Sequence, residues 1–72
     1  MNIENAIYDA SQILKKNNIK SPILDSELLM SKAIQKDRDY IILNLKNNLD
    51  DQKFSYFSDL IKQRTRGKPV AY

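Results

Sequence analysis

The 72-residue sequence predicts an all-α protein, a small bundle of four helices with room for one extra short turn. Apolar residues recur at helical spacing in four separate segments. Residues that commonly cap helices stand before these segments. Only one glycine and two prolines interrupt the chain. A chain of this size buries about 60% of its unfolded surface, so we expect a single domain of modest stability.

The first helix is predicted from Asn2 to Lys16. At 100° per residue its apolar side chains fall on one stripe about 120° wide, as in an amphipathic helix. Asn17 and Asn18 are expected to end it, because asparagine accepts the left-handed backbone conformation and competes with helical hydrogen bonding. The stripe that should face the core consists of Ile3, Ala6, Ile7, Ala10, Ile13 and Leu14.

The second helix is predicted from Ser21 as N-cap, with Pro22 in the first helical position, to about Gln35. It is apolar on most sides, which is typical of a central helix surrounded by others. A narrow polar strip of Asp25, Lys32 and Lys36 is expected to face water.

The third helix is predicted to be short, capped by Asp37 or Asp39 and running from Tyr40 to Leu45. A strand is the alternative, because the run is short and partly β-branched.

The fourth helix is predicted to begin at Asp50 as N-cap, with Leu49 and Phe54 spaced to form a hydrophobic staple. Gly67 should end it in the left-handed conformation, and Pro69 should prevent its continuation. Residues 1–66 are therefore assigned to the helical domain and residues 67–72 to the start of an extended linker or hairpin. The apolar stripe of this helix is Phe54, Phe57, Leu60 and Ile61.

Two charged residues lie on otherwise apolar helix faces, Glu27 on the second helix and Arg64 on the fourth. Opposite charges on helices that should touch suggest a partly buried ion pair between them. Arg38 is the alternative partner for Glu27.

The composition excludes several functions. The chain has no cysteine and no histidine, which excludes disulfides and thiol chemistry and argues strongly against a zinc site. There is no glycine-rich loop, no signal peptide and no apolar run of about 18 residues that would cross a membrane. The adjacent carboxylates Asp50 and Asp51 are better explained as a helix cap and dipole partner than as a catalytic pair. We therefore assign no catalytic, cofactor-binding or metal-binding residue and expect a cytoplasmic binding or scaffolding domain.

The basic residues near the end of the sequence are candidates for partner binding. Lys62, Arg64, Arg66 and Lys68 follow one another with no acid after Asp59. They would suit an acidic protein face or phosphate; alternatively, they only complement the helix dipole. A nucleic-acid-binding module is disfavoured because Asp59 lies near the face shared by two of these cations. A structural adaptor is a third possibility.

One aromatic residue is a second candidate for contact with a partner. Tyr8 projects away from the first helix's stripe, either as a contact residue or as an ordinary surface tyrosine.

Three segments together resemble the N-terminal domain of the peptide chain release factor glutamine methyltransferase family, called PrmC or HemK. "SPILDSELLM" contains the leucine-aspartate, small residue, glutamate, leucine-leucine motif from Leu24 to Leu29. "KDRDYIILN" supplies an arginine, Arg38, near the start of the next helix, and "FSDLIKQRTRGKPVAY" matches the closing segment. Gln63 departs from a frequent arginine and Lys68 from a frequent acid, which puts partner contacts mapped onto these positions in doubt.

The resemblance implies that this helical domain precedes a Rossmann-like domain carrying the S-adenosylmethionine loop and an Asn-Pro-Pro-Tyr motif. The implied parent enzyme methylates the side-chain nitrogen of glutamine in the Gly-Gly-Gln motif of class I release factors. The present chain, which lacks those motifs, would help to hold the release factor against the parent's own catalytic domain. It should itself neither bind the cofactor nor catalyse the reaction. Lys62, Arg66 and Lys68 are the residues we expect to contact the release factor, while Arg64 should lie in the core.

Overall fold

The computed structural model describes residues 1–67, and these contain four helices. In chain order they are α1 (Ile3–Lys16), α2 (Pro22–Ile34), α3 (Arg38–Leu43) and α4 (Asp51–Thr65). The described residues form no strand beyond an isolated antiparallel bridge between Asn2 and Asn48. The predicted all-α bundle of four helices is confirmed, and the strand considered for the third segment is excluded.

Three helices begin with side-chain caps, and the sequence analysis predicts two of them. The carboxylates of Asp37 and Asp50 accept hydrogen bonds from the third backbone N–H of α3 and α4, at 2.9 and 2.8 Å. Asn2 does the same for α1 at 2.8 Å. Ser21 stands at the start of α2 but its side chain accepts no such bond, so only the Pro22 part of that prediction holds.

The helix ends follow from residues that adopt positive φ. Asn18 (φ 62°) follows α1, and Gln35 (φ 59°) ends α2. Gly67 (φ 92°) follows α4, where glycine adopts this conformation without the steric cost of a Cβ atom. These positions match the predicted ends of α1 and α4 closely.

The start of α1 is joined to the connection between α3 and α4. The backbone N–H groups of Ile3 and Glu4 donate to the carbonyls of Asn47 and Leu45, at 3.0 and 2.9 Å. The N–H of Leu49 donates to the carbonyl of Met1 at 2.9 Å. Donors that a free helix start would leave to water are thus satisfied by a distant part of the chain.

Helix α2 contacts each of the other three helices, as its predicted central position requires. The core is built mainly from the apolar faces of α1, α2 and α4, with one residue from α3. Its buried apolar members are Ile3, Ala6, Ile7, Ala10, Leu14, Leu29, Met30, Ala33, Ile34, Ile41, Leu49, Phe57, Leu60 and Ile61.

The predicted orientation of α2 is wrong in its first turns. Asp25, expected to face water, is 5% exposed, whereas Ile23 is 60% exposed. Asp25 is drawn inward because it meets a cation from α4. Ser26 beside it is fully buried, and its hydroxyl has no hydrogen-bond partner. Ile13 of α1 departs from the prediction as well, because it is 48% exposed at the edge of its stripe.

Candidate partner-binding site

The basic residues of α4 divide between the interior and the surface. Arg64 points inward, and its Nε donates to Oδ2 of Asp25 at 3.1 Å. The two side chains are 22% and 7% exposed, so the pair is largely shielded from water. Because it joins α4 to α2, Arg64 is committed to the fold. Arg64 is thus largely buried at the edge of the core, although it is not one of the core residues.

The predicted partner of Arg64 is wrong. Glu27 instead accepts a hydrogen bond from Nη2 of Arg38 at 2.8 Å, which is the alternative that the sequence offered. Asp25 and Glu27 are two positions apart on α2, so their side chains leave the helix in different directions. Asp25 therefore reaches α4, while Glu27 reaches the start of α3.

Lys62, near the end of α4, and Arg66, just after it, are both exposed. They are four residues apart and so lie on the same side of the helix end. Neither forms an ion pair with any residue of the described range 1–67. Their positive charge is therefore available to a partner. Lys68, the third predicted contact residue, lies outside the described residues.

An open cleft of about 190 Å³ lies between α1 and α4, next to Lys62. Its polar edge includes Asp9 and Lys62, one acid and one base. The exposed parts of Ile13 and Phe54 belong to this cleft, which explains why neither is fully buried. The apolar lining is formed by Ala6, Ala10, Ile13, Phe54, Phe57 and Ile61.

Sequence reasoning missed this cleft, although a signal for it was present. Ala6 and Ala10 are small residues four positions apart on the face that α1 turns towards α4. Small side chains there leave space beside the phenyl rings of α4. Such a cleft suits an apolar side chain from another protein, and Lys62 and Arg66 would attract carboxylates around it.

Two kinds of feature are absent from the part of the chain that the structure describes. Within residues 1–67 no three acidic side chains come together in a way that would hold a metal ion. Among the helices of that range, none is both long and apolar enough to cross a membrane.

The fold defines a class: a small all-α domain of four helices, with an open cleft beside two exposed cations in its described part. Comparison with known proteins makes the class specific. The family described as the PrmC N-terminal domain matches residues 5–72, and the chain belongs to this family.

Relatives with curated names agree with this assignment. The chain is 33% identical over its full length to a release factor glutamine methyltransferase of Buchnera aphidicola, and 29% identical to one of Clostridium acetobutylicum. A bifunctional methyltransferase of Rickettsia conorii is 31% identical over 97% of the chain. The chain spans 25% of the length of the first two proteins and 13% of the third. No solved structure matches.

Proposed function

We propose that this chain is the N-terminal domain of an enzyme that methylates the glutamine of the Gly-Gly-Gln motif in class I release factors. The parent enzyme would use S-adenosylmethionine, bound in its catalytic domain, and would act in the cytoplasm. The observation that carries the proposal is the match of the whole chain to proteins named release factor glutamine methyltransferase.

The domain's part in the reaction is to help hold the release factor. Residues 1–66 form the helical substrate-binding domain, and residues 67–72 begin the linker to the catalytic domain. Lys62 and Arg66, with Lys68 beyond the described residues, provide positive charge near the start of that linker. The cleft beside Lys62 provides apolar contact. This division of work leaves the chemistry to the catalytic domain.

The test is a double charge reversal, Lys62→Glu with Arg66→Glu, in the intact parent enzyme. It should raise the KM for release factor and leave the KM for S-adenosylmethionine unchanged. Exposed charges at the rim of an interface contribute about 0.2–1 kcal/mol each and are screened by salt, so the effect should be larger at low salt. The measurement is transfer of a labelled methyl group to purified release factor in both salt regimes.

A matched control is Lys16→Glu with Lys32→Glu, which makes the same change in net charge at exposed positions outside the site. It should leave the KM for release factor nearly unchanged. Equal effects of the two double variants would mean that only the overall charge matters. No methylation of release factor by the unaltered parent would reject the proposed reaction itself.

A further inference from the structure

A second surface lies on the other side of α1, away from the α1–α4 cleft, where α1 faces the start of α2. Here Tyr8 and Ile23 are 63% and 60% exposed, among the largest exposures of bulky apolar side chains in the described residues. Both line one shallow groove of about 360 Å³. Ile19 and Pro22 add to its apolar lining. We call this surface the Tyr8–Ile23 groove.

The charge around the Tyr8–Ile23 groove is of one sign. Lys15 and Lys20 line it, and no aspartate or glutamate does. Neither lysine takes part in an ion pair within residues 1–67. The remaining polar lining is Ser11 and Gln12; the Ser11 hydroxyl already donates to the Tyr8 carbonyl at 2.7 Å. The groove therefore combines an apolar floor with two unpaired cations.

We propose that the Tyr8–Ile23 groove docks an acidic segment of a partner protein that carries an apolar side chain between carboxylates. The apolar side chain would lie against Tyr8 and Ile23, and the carboxylates would meet Lys15 and Lys20. Charge complementarity selects this partner by attracting acidic segments and repelling basic ones. The α1–α4 cleft differs from this groove, because an acid, Asp9, lines it together with Lys62.

A nucleic-acid strand suits this groove less well than a peptide. Binding of single strands relies on several aromatic side chains that stack successive bases along a basic track. Tyr8 is the only aromatic residue in the lining, and the groove contains no arginine. The aliphatic residues Ile19 and Ile23 instead match an aliphatic or aromatic side chain of a protein.

This inference does not depend on methyl transfer and stands apart from the proposed function. Its test uses the 72-residue chain, labelled with ¹⁵N, and a short capped peptide of glutamates and aspartates around one leucine and one phenylalanine. Amide shifts should cluster at Tyr8, Lys15, Lys20 and Ile23 on titration and should weaken as salt is added. A peptide with the acids replaced by glutamine should bind at least several-fold more weakly.

Two variants make the test specific. Lys15→Glu with Lys20→Glu should weaken binding of the acidic peptide by roughly tenfold. The control, Lys16→Glu with Lys32→Glu, has the same net charge and should change binding by less than about twofold. Tyr8→Ala should weaken binding of the acidic peptide and of the glutamine peptide alike, since it removes apolar contact.

Four results would overturn the proposal. The first is a set of shifts that lies elsewhere on the domain. The second is equal weakening by the groove variant and the control. The third is tighter binding of an unstructured uridine oligomer at the same residues, which would make the groove a nucleic-acid surface. The fourth is self-association in sedimentation that Tyr8→Ala abolishes, which would assign the groove to a second copy.

Discussion

Replacing Arg64 by methionine tests whether the inward-pointing cation of α4 stabilises the bundle. The substitution keeps an unbranched side chain but removes the charge that meets Asp25. Asp25 would then remain 7% exposed without its partner, as an uncompensated carboxylate between α2 and α4. We expect a large loss of stability.

The expected loss follows from the burial of the pair. Removing one partner of a fully buried ion pair costs about 3–5 kcal/mol of stability. Because the Arg64 side chain is still 22% exposed, we expect a loss at the lower end of this range, about 3 kcal/mol. A domain of this size has a total unfolding free energy of about 4–11 kcal/mol. The variant should melt roughly 12–24 °C below the parent, at 4–8 °C per kcal/mol.

Urea denaturation of three variants separates this effect from general damage to the domain. Arg38→Met removes the cation of the more exposed pair with Glu27, whose side chains are 46% and 20% exposed, and should cost only about 0.2–1 kcal/mol. Arg64→Met combined with Asp25→Leu should recover much of the lost stability, because no buried charge is left unpaired.

Equal losses in Arg64→Met and Arg38→Met would refute the reasoning. That result would mean that water reaches Asp25 well enough to replace the arginine. A double variant less stable than the single variant would also contradict it, since the loss would then come from lost packing.

Three further local features, each tested by urea denaturation, are the cap of α4, the glycine after α4 and a buried hydroxyl. Asp50→Ala should lower the unfolding free energy by about 1 kcal/mol, because the N–H of Lys53 loses its acceptor. The control Asp51→Ala removes a charge but no cap and should cost about 0.5 kcal/mol. Equal losses in the two variants would show that Asp50 does not stabilise α4 as a cap. Gly67→Ala should lower the unfolding free energy by about 1 kcal/mol. The cost comes only from the positive φ at this position, because a Cβ there would meet no atom within 4 Å. An unchanged urea midpoint would contradict this. Ser26→Ala should stabilise the domain by about 1 kcal/mol, because it removes a buried hydroxyl that has no hydrogen-bond partner. A lowered urea midpoint would show that the hydroxyl does form a stabilising hydrogen bond.

Periodicity and capping predicted α1 and α4 well because each has one clear apolar face. Asp50 caps α4 as expected, and Gly67 follows α4 with positive φ. Asn2 caps α1, which was not predicted. The exposure of Lys62 and Arg66 also follows from their place on the α4 wheel. Their contact with a partner stays a prediction.

The orientation of α2 could not be obtained in the same way. A helix that is apolar on most sides has no single stripe to indicate which side is buried, so its neighbours decide. Asp25 was placed facing water because it is charged, and the structure buries it against Arg64. The same error led to Glu27 as the partner of Arg64. Sequence alone places both acids on one helix but does not tell which one α4 approaches.

The α1–α4 cleft depends on the distance between two helices, which a single helix pattern does not contain. Ala6 and Ala10 show that one face of α1 has small side chains. The cleft itself forms only where the phenyl rings of α4 lie beside that face.

The bonds between the start of α1 and the connection before α4 have a consequence for synthesis on the ribosome. Glu4 and Lys46, which also form an ion pair at 2.5 Å, are 42 residues apart along the chain. Helix α1 ends at Lys16, about 30 residues before Leu45 and Asn47, whose carbonyls accept from its opening amides. At about 5–20 residues per second, α1 is therefore complete about 1.5–6 s before that segment has been made. During that interval α2 can pack on α1, but the part of the apolar stripe that α4 covers stays exposed. A pause in translation before Lys46 would prolong this exposure, and silent codon changes there could alter the yield of folded protein without altering any residue.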